Sequence, residues 1–147
     1  AFGFHPHFVA LLLSNLSAGR FSLLVNGKPY GFFPASRGLK QGDPLSPYLF
    51  ILVAEALSRG LNQLFLTGKI ASCGLPRGCP SISHFSFADD IVIFGRADRK
   101  SLRDLMDFLA LYECGSGQKV NTMKSFYILP RRCSTTHAWL VSSITGM

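Results

Sequence analysis

The chain has 147 residues, of which 48% are hydrophobic and 16% charged, and its formal net charge is +7. That length is typical of one domain, and so apolar a composition excludes intrinsic disorder. Apolar runs such as residues 8–13 stay far below the roughly 20 residues of a membrane span, and no basic segment precedes one at the start, so we expect an intracellular protein with no membrane partner and no targeting signal.

The first third of the chain predicts a helix followed by a β-hairpin. Pro6 suits the first turn of a helix that runs to about Ser17. One face of this helix carries apolar residues at helical spacing, namely Phe8, Leu11, Leu12 and Leu16. Strands are predicted over residues 21–26 and 30–33, joined by a turn at Asn26-Gly27. A loop that contains glycine and proline follows, over residues 34–46.

The next element is a long helix, predicted over residues 47–66. Ser46 is expected to be its N-cap and Pro47 to occupy its first turn. Residues 48–54 are apolar on every side, which predicts that the first two turns are buried all round. Glu55 and Arg59, four residues apart, mark the point where the helix reaches solvent.

A second hairpin, another helix and two short elements complete the chain. Residues 83–87 and 91–94 read as two strands, with Asp89 and Asp90 at the tip between them. Asp98 can cap a helix over about residues 99–114, and Gly115 suits the position just after it. Residues 125–129 read as a last strand, and Ser134 as the start of a terminal helix. This order predicts an α+β fold, an antiparallel sheet with helices packed on one face.

Four cysteines are present, and free thiols in a reducing compartment are the simpler interpretation for a chain this apolar. Cys73, Cys79 and His84 offer an alternative zinc site. Their spacing lacks the short C-x₂₋₄-C arrangement and a clear fourth ligand, so we favour thiols in loops or in the core.

The adjacent acids Asp89 and Asp90 lie between two apolar β segments and allow two interpretations. A hairpin turn tolerates aspartate without any further role. Alternatively, the pair contributes to a divalent metal site, because Mg²⁺ takes carboxylate oxygens and phosphoryl-transfer enzymes commonly hold two such ions. Neighbouring strand residues point to opposite faces, so a third carboxylate on an adjacent strand is expected.

A glycine-rich, basic loop over residues 37–47 runs directly into the long predicted helix. Glycines let the backbone approach a ligand closely, and the N-terminus of a helix favours anionic groups. An ordinary loop with a good cap fits equally well. The first 42 residues contain four basic side chains and no acid, which fits either a solvated surface or a nucleic-acid partner: Arg20, Lys28, Arg37 and Lys40.

The two motifs together resemble those of a known family. Gln41-Gly42-Asp43-Pro44-Leu45-Ser46-Pro47 resembles the Q-G-D-P-L-S-P block of LINE-type (non-LTR) retrotransposon reverse transcriptases, and Phe87-Ala88-Asp89-Asp90 resembles their Y/F-x-D-D box. The spacing of about forty residues and the tail over residues 116–125 suit the same family. The segment before the first block resembles plant members, so the resemblance covers essentially the whole chain.

The resemblance implies a polymerase palm, an antiparallel sheet backed by helices, and template-directed addition of deoxynucleotides to a primer 3′-OH by two Mg²⁺ ions. It implies that Asp89 and Asp90 are catalytic metal ligands and that Phe87 packs near the primer end. Lys124 is implied near the leaving pyrophosphate, although a solvated lysine is at least as good an interpretation. The surface against template and nucleotide is implied to comprise Arg37, Lys40, Gln41, Gly42 and Ser46.

The chain also departs from the family's pattern. No Asp or Glu precedes Asp43, so the metal ligand that the family carries upstream of this block is expected to be missing from the chain. We therefore expect residues 1–147 to form a single partial domain without most of the fingers or the thumb. The expected partners are an RNA template, a DNA primer, dNTPs and the remainder of a parent polyprotein.

Two alternatives stay open. A catalytically incomplete, basic nucleic-acid-binding remnant of a decayed transposon would have the same charge and would not extend primers. A palm polymerase of another kind, encoded by an intron or a virus, is disfavoured by Asp43-Pro44-Leu45 between the Q-G and S-P pairs.

Overall fold

The computed structural model describes residues 2–34, 38–74 and 78–147. Across these ranges it has four helices and four strands: α1 (Pro6–Ser17), β1 (Arg20–Val25), β2 (Lys28–Pro34), α2 (Ser46–Leu66), β3 (His84–Phe87), β4 (Asp90–Ile93), α3 (Arg99–Ser116) and α4 (Thr135–Thr145). The predicted α+β class is confirmed. The strands form two separate antiparallel pairs, β1–β2 and β3–β4. The chain divides into two compact units, Ala1–Ile51 and Leu52–Met147.

Helix α1 begins and ends where the sequence predicts. Pro6 occupies its first turn, and the Nδ1 atom of His5 accepts a hydrogen bond from the His7 N–H at 3.2 Å. None of its residues is buried, and Phe8 and Leu11 are exposed. The apolar face predicted from its spacing is therefore present but uncovered.

The β1–β2 hairpin has the predicted Asn26-Gly27 turn. Both turn residues have positive φ angles, 51° and 77°, which is the requirement of a type I′ turn. Val25 pairs with Lys28 on either side of it. The register shifts between Phe21 and Leu23, where Gly31 on the opposite strand has a φ of 72°.

Helix α2 is buried only in its second half, so the prediction that its first two turns are buried all round is wrong. Tyr48 is 68% exposed and Ile51 is 60% exposed, whereas Leu57, Leu61 and Leu64 are buried. A helix that is apolar on every side needs neighbours on every side. Leu57 and Leu61 have such a neighbour within the second unit, Leu109 of α3.

By length and composition alone, α2 could cross a membrane. The expectation of no membrane span rested on uninterrupted apolar runs, and the core helices of soluble proteins pass the same test. The middle of α2 contains the Glu55–Arg59 ion pair, 2.7 Å between Oε1 and Nε, and its second half contributes Leu57 and Leu61 to the core of the second unit.

The core of the second unit lies between α2 and α3. Leu57 and Leu61 pack with Leu109, and Ile93 of β4 lies against the same cluster. Helix α3 has the predicted cap, since Oδ1 of Asp98 accepts from the Ser101 N–H at 3.0 Å. It continues two residues beyond the prediction, so Gly117 (φ 72°), rather than Gly115, is the left-handed residue at its end.

The predicted strand over residues 125–129 is wrong, because the described segment between α3 and α4 contains no strand. A segment of high strand propensity forms a strand only where another strand can accept and donate its backbone hydrogen bonds. Helix α4 begins after Ser134, as predicted, and the Ser134 hydroxyl accepts from the His137 N–H at 3.3 Å.

Candidate functional site

The acidic pair lies at the tip of the β3–β4 hairpin, as predicted. Phe87 pairs with Asp90, so the turn consists of Ala88 and Asp89. Asp89 is a turn residue and Asp90 is the first residue of β4. The two carboxylates therefore leave the backbone from consecutive positions at the tip of the hairpin.

The backbone at this tip adopts a conformation that residues with a side chain rarely take. Ala88 has a φ of 52°, and a positive φ at the first turn position is a requirement of the tight turns that join adjacent strands. Alanine bears only a methyl group, so it tolerates this region at moderate cost. The turn sets the direction in which Asp89 leaves the hairpin.

One face of the hairpin is open to solvent. Residues that pair across an antiparallel ladder share a face, which places Phe85 and Phe87 with Val92 and Asp90. Phe87 is 84% exposed and Phe85 is 57% exposed. An exposed aromatic side chain thus stands beside the two acids.

The chemistry of these two acids fits a hard divalent cation in part. Mg²⁺ is commonly bound by one or two carboxylates, with water and substrate phosphates completing its octahedron. Within residues 2–34, 38–74 and 78–147, no group of three or more His, Cys, Asp or Glu side chains is placed to hold a metal. Asp89 and Asp90 supply oxygen ligands, and the expected third carboxylate is not among the described residues.

The alternative zinc grouping does not assemble in this part of the chain either. Cys73 and Cys79 are free thiols. Both ring nitrogens of His84 are occupied by serine hydroxyls, those of Ser83 and Ser58, each at 2.9 Å. The interpretation of these cysteines as free thiols is therefore retained.

The base of the hairpin contains polar contacts that the sequence analysis did not find. Besides His84, they involve Ser58 and Asn62 of α2, and Ser83, whose hydroxyl donates to Oδ1 of Asn62 at 2.7 Å. Ser58 and Asn62 are four residues apart on one helix face. That spacing opposite a Ser-His pair was the available signal, but the order of the elements gave no reason to pair them.

In the glycine-rich loop, the backbone is folded onto itself before α2 begins. The Lys40 carbonyl accepts from the Asp43 N–H at 3.3 Å and from the Ser46 hydroxyl at 2.7 Å. Oδ1 of Asp43 accepts from the Leu45 N–H at 2.8 Å. Ser46 was predicted to cap the helix by accepting, but its hydroxyl donates to the loop, and Asp43 provides the acceptor at the helix start.

The other described residues of this loop differ in backbone conformation and surroundings. Gly42 has a φ of 83°, a region that favours glycine, and Gln41 is exposed. Lys40 and Asp43 line a cleft of about 290 Å³ completed by α1 and β1. Arg37 lies outside the described residues.

Lys124 is exposed at the end of a segment held by side chains of its neighbours. Oε1 of Glu113 accepts from the Val120 N–H at 2.7 Å, and Oδ1 of Asn121 accepts from the Met123 N–H at 3.1 Å. The Asn121 carbonyl accepts from the Lys124 N–H at 3.0 Å. Glu113 and Asn121 thus order the backbone that carries Lys124. Neither was singled out from the sequence, although asparagine is a frequent turn former.

The predicted site residues fall into two sets. Phe87, Asp89, Asp90 and Lys124 belong to the second unit, and the first three lie together on one hairpin. Lys40, Gln41, Gly42 and Ser46 belong to the first unit, in the loop before and at the start of α2.

The reverse transcriptase (RNA-dependent DNA polymerase) family matches residues 1–139 of this chain. The chain is 34% identical over 128 residues to the retrovirus-related Pol polyprotein of the type-2 retrotransposable element R2DM of Drosophila melanogaster, an alignment that covers 87% of the chain and 11% of the polyprotein. It is 26% identical over 142 residues to the corresponding polyprotein of the type-1 element R2 of Popillia japonica, covering 97% of the chain and 21% of the relative.

A plant protein also matches. An uncharacterized mitochondrial protein of Arabidopsis thaliana is 46% identical over 67 residues, which is 46% of this chain and 55% of that protein. The chain therefore spans between about a tenth and about a half of the length of these three relatives.

Proposed function

Since the chain belongs to the reverse transcriptase (RNA-dependent DNA polymerase) family, we propose that it is the palm part of an RNA-directed DNA polymerase of a non-LTR retrotransposon. The reaction is the template-directed addition of deoxynucleotides to the 3′-OH of a primer. The proposed partners are an RNA template, a DNA primer and dNTPs, within a larger polyprotein.

The position of Asp89 carries this proposal. It occupies the turn of a hairpin with a second acid beside it and an exposed aromatic side chain, Phe87, on the adjoining strand. Because Asp89 is exposed to solvent, its carboxylate can bind a hydrated cation without first losing a protein partner. The same residues form the F-A-D-D box that resembles the family motif.

Reverse transcriptases generally use divalent metal ions. Two Mg²⁺ ions, when bound, lower the pKa of the primer hydroxyl and stabilise the charge of the phosphoryl transition state. In this chain Asp89 is the proposed ligand and Asp90 the supporting acid. Phe87 is proposed to pack against the primer end.

The remaining residues are proposed to position the substrates. Gln41 has an amide that both donates and accepts hydrogen bonds and is exposed next to Gly42, whose missing side chain leaves room for a base pair. Lys40 and Ser46 belong to the same surface. Lys124 offers a mobile positive charge for the leaving pyrophosphate, held on an ordered turn by Asn121.

Primer extension by a chimaera tests the proposal. The 128-residue matching segment of the Drosophila polyprotein is replaced by the aligned segment of this chain. We expect Mg²⁺-dependent extension, a loss of about 10³-fold in rate with Asp89→Asn, and little change in template–primer affinity. Asp107→Asn, which removes an exposed acid of α3, is the matched control and is expected to extend normally.

A second substitution in the same chimaera separates positioning from metal binding. Gln41→Ala should weaken apparent nucleotide affinity and fidelity together, because it removes contacts to the nascent pair rather than charge at the transition state. If Asp89→Asn extends primers at the rate of the Asp107→Asn control, the proposed role of Asp89 is wrong.

A second candidate function is nucleic-acid binding without polymerisation. The observation that favours it is the charge distribution, since residues 1–42 and 114–147 contain eight of the fifteen basic residues and none of the acids. Salt-dependent RNA binding by a chimaera that does not extend primers would favour this function.

A further inference from the structure

The hairpin that carries Asp89 is joined to helix α2 by a row of side-chain hydrogen bonds. Nε2 of His84 lies 2.9 Å from the Ser58 hydroxyl, and Nδ1 of the same ring lies 2.9 Å from the Ser83 hydroxyl. The Ser83 hydroxyl in turn donates to Oδ1 of Asn62 at 2.7 Å. The row therefore begins and ends on α2 and passes through the first residue of β3 and its neighbour.

When the imidazole is neutral, the Ser83–Asn62 hydrogen bond determines the direction of the other two. A hydroxyl has one hydrogen, and that of Ser83 is used toward Asn62. Toward His84 it can only accept, so Nδ1 of the imidazole must carry a hydrogen. In the neutral ring Nε2 is then bare, and it accepts from the Ser58 hydroxyl. The row thus selects the Nδ1–H tautomer, the less common form of histidine in water.

The row of hydrogen bonds lies where the β3–β4 hairpin contacts the core, so it can affect the position of the turn that carries Asp89. His84 pairs across the ladder with Ile93, and Ile93 packs against the Leu57, Leu61 and Leu109 core. The His84–Ile93 pair is therefore the part of the hairpin that packs against the core. Toward the tip, Phe85 and Val92 are already more than half exposed. Strand β3 runs from His84 to Phe87, about 10 Å of extended chain, before the turn that carries Asp89, so a tilt of the hairpin at His84 displaces the tip.

We propose that His84 is a positioning residue for the Asp89 site: its hydrogen bond to Ser58, together with the Ser83–Asn62 bond that its Nδ1 atom orients, fixes the angle between the hairpin and α2. Ile93 packs against the core at the same level of the hairpin, but apolar packing has no preferred direction and allows the hairpin to slide and tilt on α2. Directional hydrogen bonds on both ring nitrogens of His84 restrict these motions. The description of the tip as a catalytic site rests on the proposed function; the anchoring itself does not.

Two measurements on the 147-residue chain test the anchoring, neither of which depends on polymerase activity. Long-range proton–nitrogen NMR spectra of the imidazole should show the Nδ1–H tautomer for His84. Amide hydrogen exchange of β3 and β4 should accelerate about fivefold for each hydrogen bond removed, while the exchange of α3 stays unchanged.

The variants divide the row into its parts. His84→Asn keeps a donor near the Nδ1 position and His84→Gln keeps an amide near the Nε2 position, so each should lose one hydrogen bond. His84→Ala should lose both, about 25-fold in exchange rate. Ser58→Ala removes the donor to Nε2 and should match His84→Asn. His137→Ala, which removes a half-buried histidine of α4, is the control and should leave the hairpin unchanged.

An Nε2–H tautomer at His84 would overturn the proposal, and so would equal exchange rates in His84→Ala and the His137→Ala control. Acceleration of α3 together with the hairpin would mean that His84 supports the whole unit and not the hairpin angle, which also contradicts it. Failure of the chimaera to extend primers would instead count against the proposed function, and it would leave both of these measurements unaffected.

Discussion

Gly60 shows how a single missing side chain sets the packing of the second unit. A Cβ atom at this position of α2 would overlap the ring of Phe108 on α3. The two helices approach each other through this gap, and the Leu57, Leu61 and Leu109 cluster lies in the same interface. Glycine in the middle of a helix costs stability by itself, so its presence here is explained by the ring that it admits.

Gly60→Ala should therefore destabilise the chain although alanine is the better helix former. We expect a loss of about 1–3 kcal/mol in the free energy of unfolding, because the ring must move within a packed core. Gly115→Ala is the control, since it lies in α3 with open space around it; it should gain about 0.5–1 kcal/mol. Urea denaturation of both variants measures the contrast, and a stabilised Gly60→Ala would contradict the packing described.

Ala88 is a second residue at which the fold carries a local conformational cost. Its φ of 52° is tolerable for alanine and poor for a β-branched side chain. Ala88→Val should open the β3–β4 hairpin at its tip, while Ala88→Gly should keep it. Amide exchange of residues 87–91 reports the difference, and equal exchange in the two variants would show that the turn does not need a positive φ.

At the scale of elements, the cap of α3 gives a prediction with a defined pH dependence. The Ser101 N–H donates to Asp98 and lowers the pKa of that carboxyl below its usual 3.8; burial opposes this effect, and the Ser101 hydroxyl and Arg96 add to it. Because the folded-state pKa is depressed, the stabilisation is complete above the unfolded pKa and is lost as pH falls through the folded value.

Asp98→Ala should accordingly cost about 1 kcal/mol at neutral pH, and the difference from the unaltered chain should shrink as the pH drops below about 4. Asp98→Asn keeps an acceptor that does not titrate, so its stability relative to Asp98→Ala should not depend on pH. Unfolding curves between pH 3 and 7 measure both. A gap that widens toward low pH would contradict the assigned sign.

Local signals were enough to predict most of the elements. Pro6 and Asn26-Gly27 determine their helix start and turn through their own backbone preferences, and Asp98 through its side chain. Features that depend on contacts with other elements, such as strand pairing and helix burial, were predicted less well. Residues 125–129 were predicted as a strand but pair with no strand in the described chain, and Tyr48 and Ile51 near the start of α2 are exposed.

In the candidate site, too, the local features were predicted and the contacts between distant residues were not. The Asp89 turn is local and was predicted to within one residue, since the flanking alternation determines where the strands end. The His84 row joins residues 21 to 26 positions apart in sequence, and no periodicity reports such a contact. Ser46 was predicted to precede the helix as its N-cap, whereas it is the first residue of α2 and its hydroxyl donates to Lys40; a hydroxyl can either donate or accept.

For the whole molecule, charge is the most informative property. All eight acids lie between residues 43 and 113, and the two ends are purely basic. The basic segment after α3 also exposes Phe126 and Ile128 near Lys124. Cationic and apolar side chains interleaved on an open surface are typical of proteins that bind single-stranded nucleic acid.

Lys124→Ala should weaken RNA binding by the chain and reduce the slope of log K against log salt concentration by about 1, as expected for one lost phosphate contact. Lys69→Ala, in the middle of the chain that also contains the acids, should leave the slope unchanged. Filter binding across a salt series measures both. Identical slopes in the two variants would show that Lys124 makes no phosphate contact with the RNA.

Mn²⁺ titration of the ¹⁵N-labelled 147-residue chain tests most directly whether the β3–β4 tip holds a divalent cation. Mn²⁺ broadens the amide signals nearest to it. We predict selective broadening of residues 88–91 at low Mn²⁺ concentration, competition by Mg²⁺, and loss of this broadening in Asp89→Asn but not in Asp107→Asn. Broadening centred elsewhere, or a tip that responds identically with Asn at position 89, would contradict the account and leave a hairpin turn with no metal role.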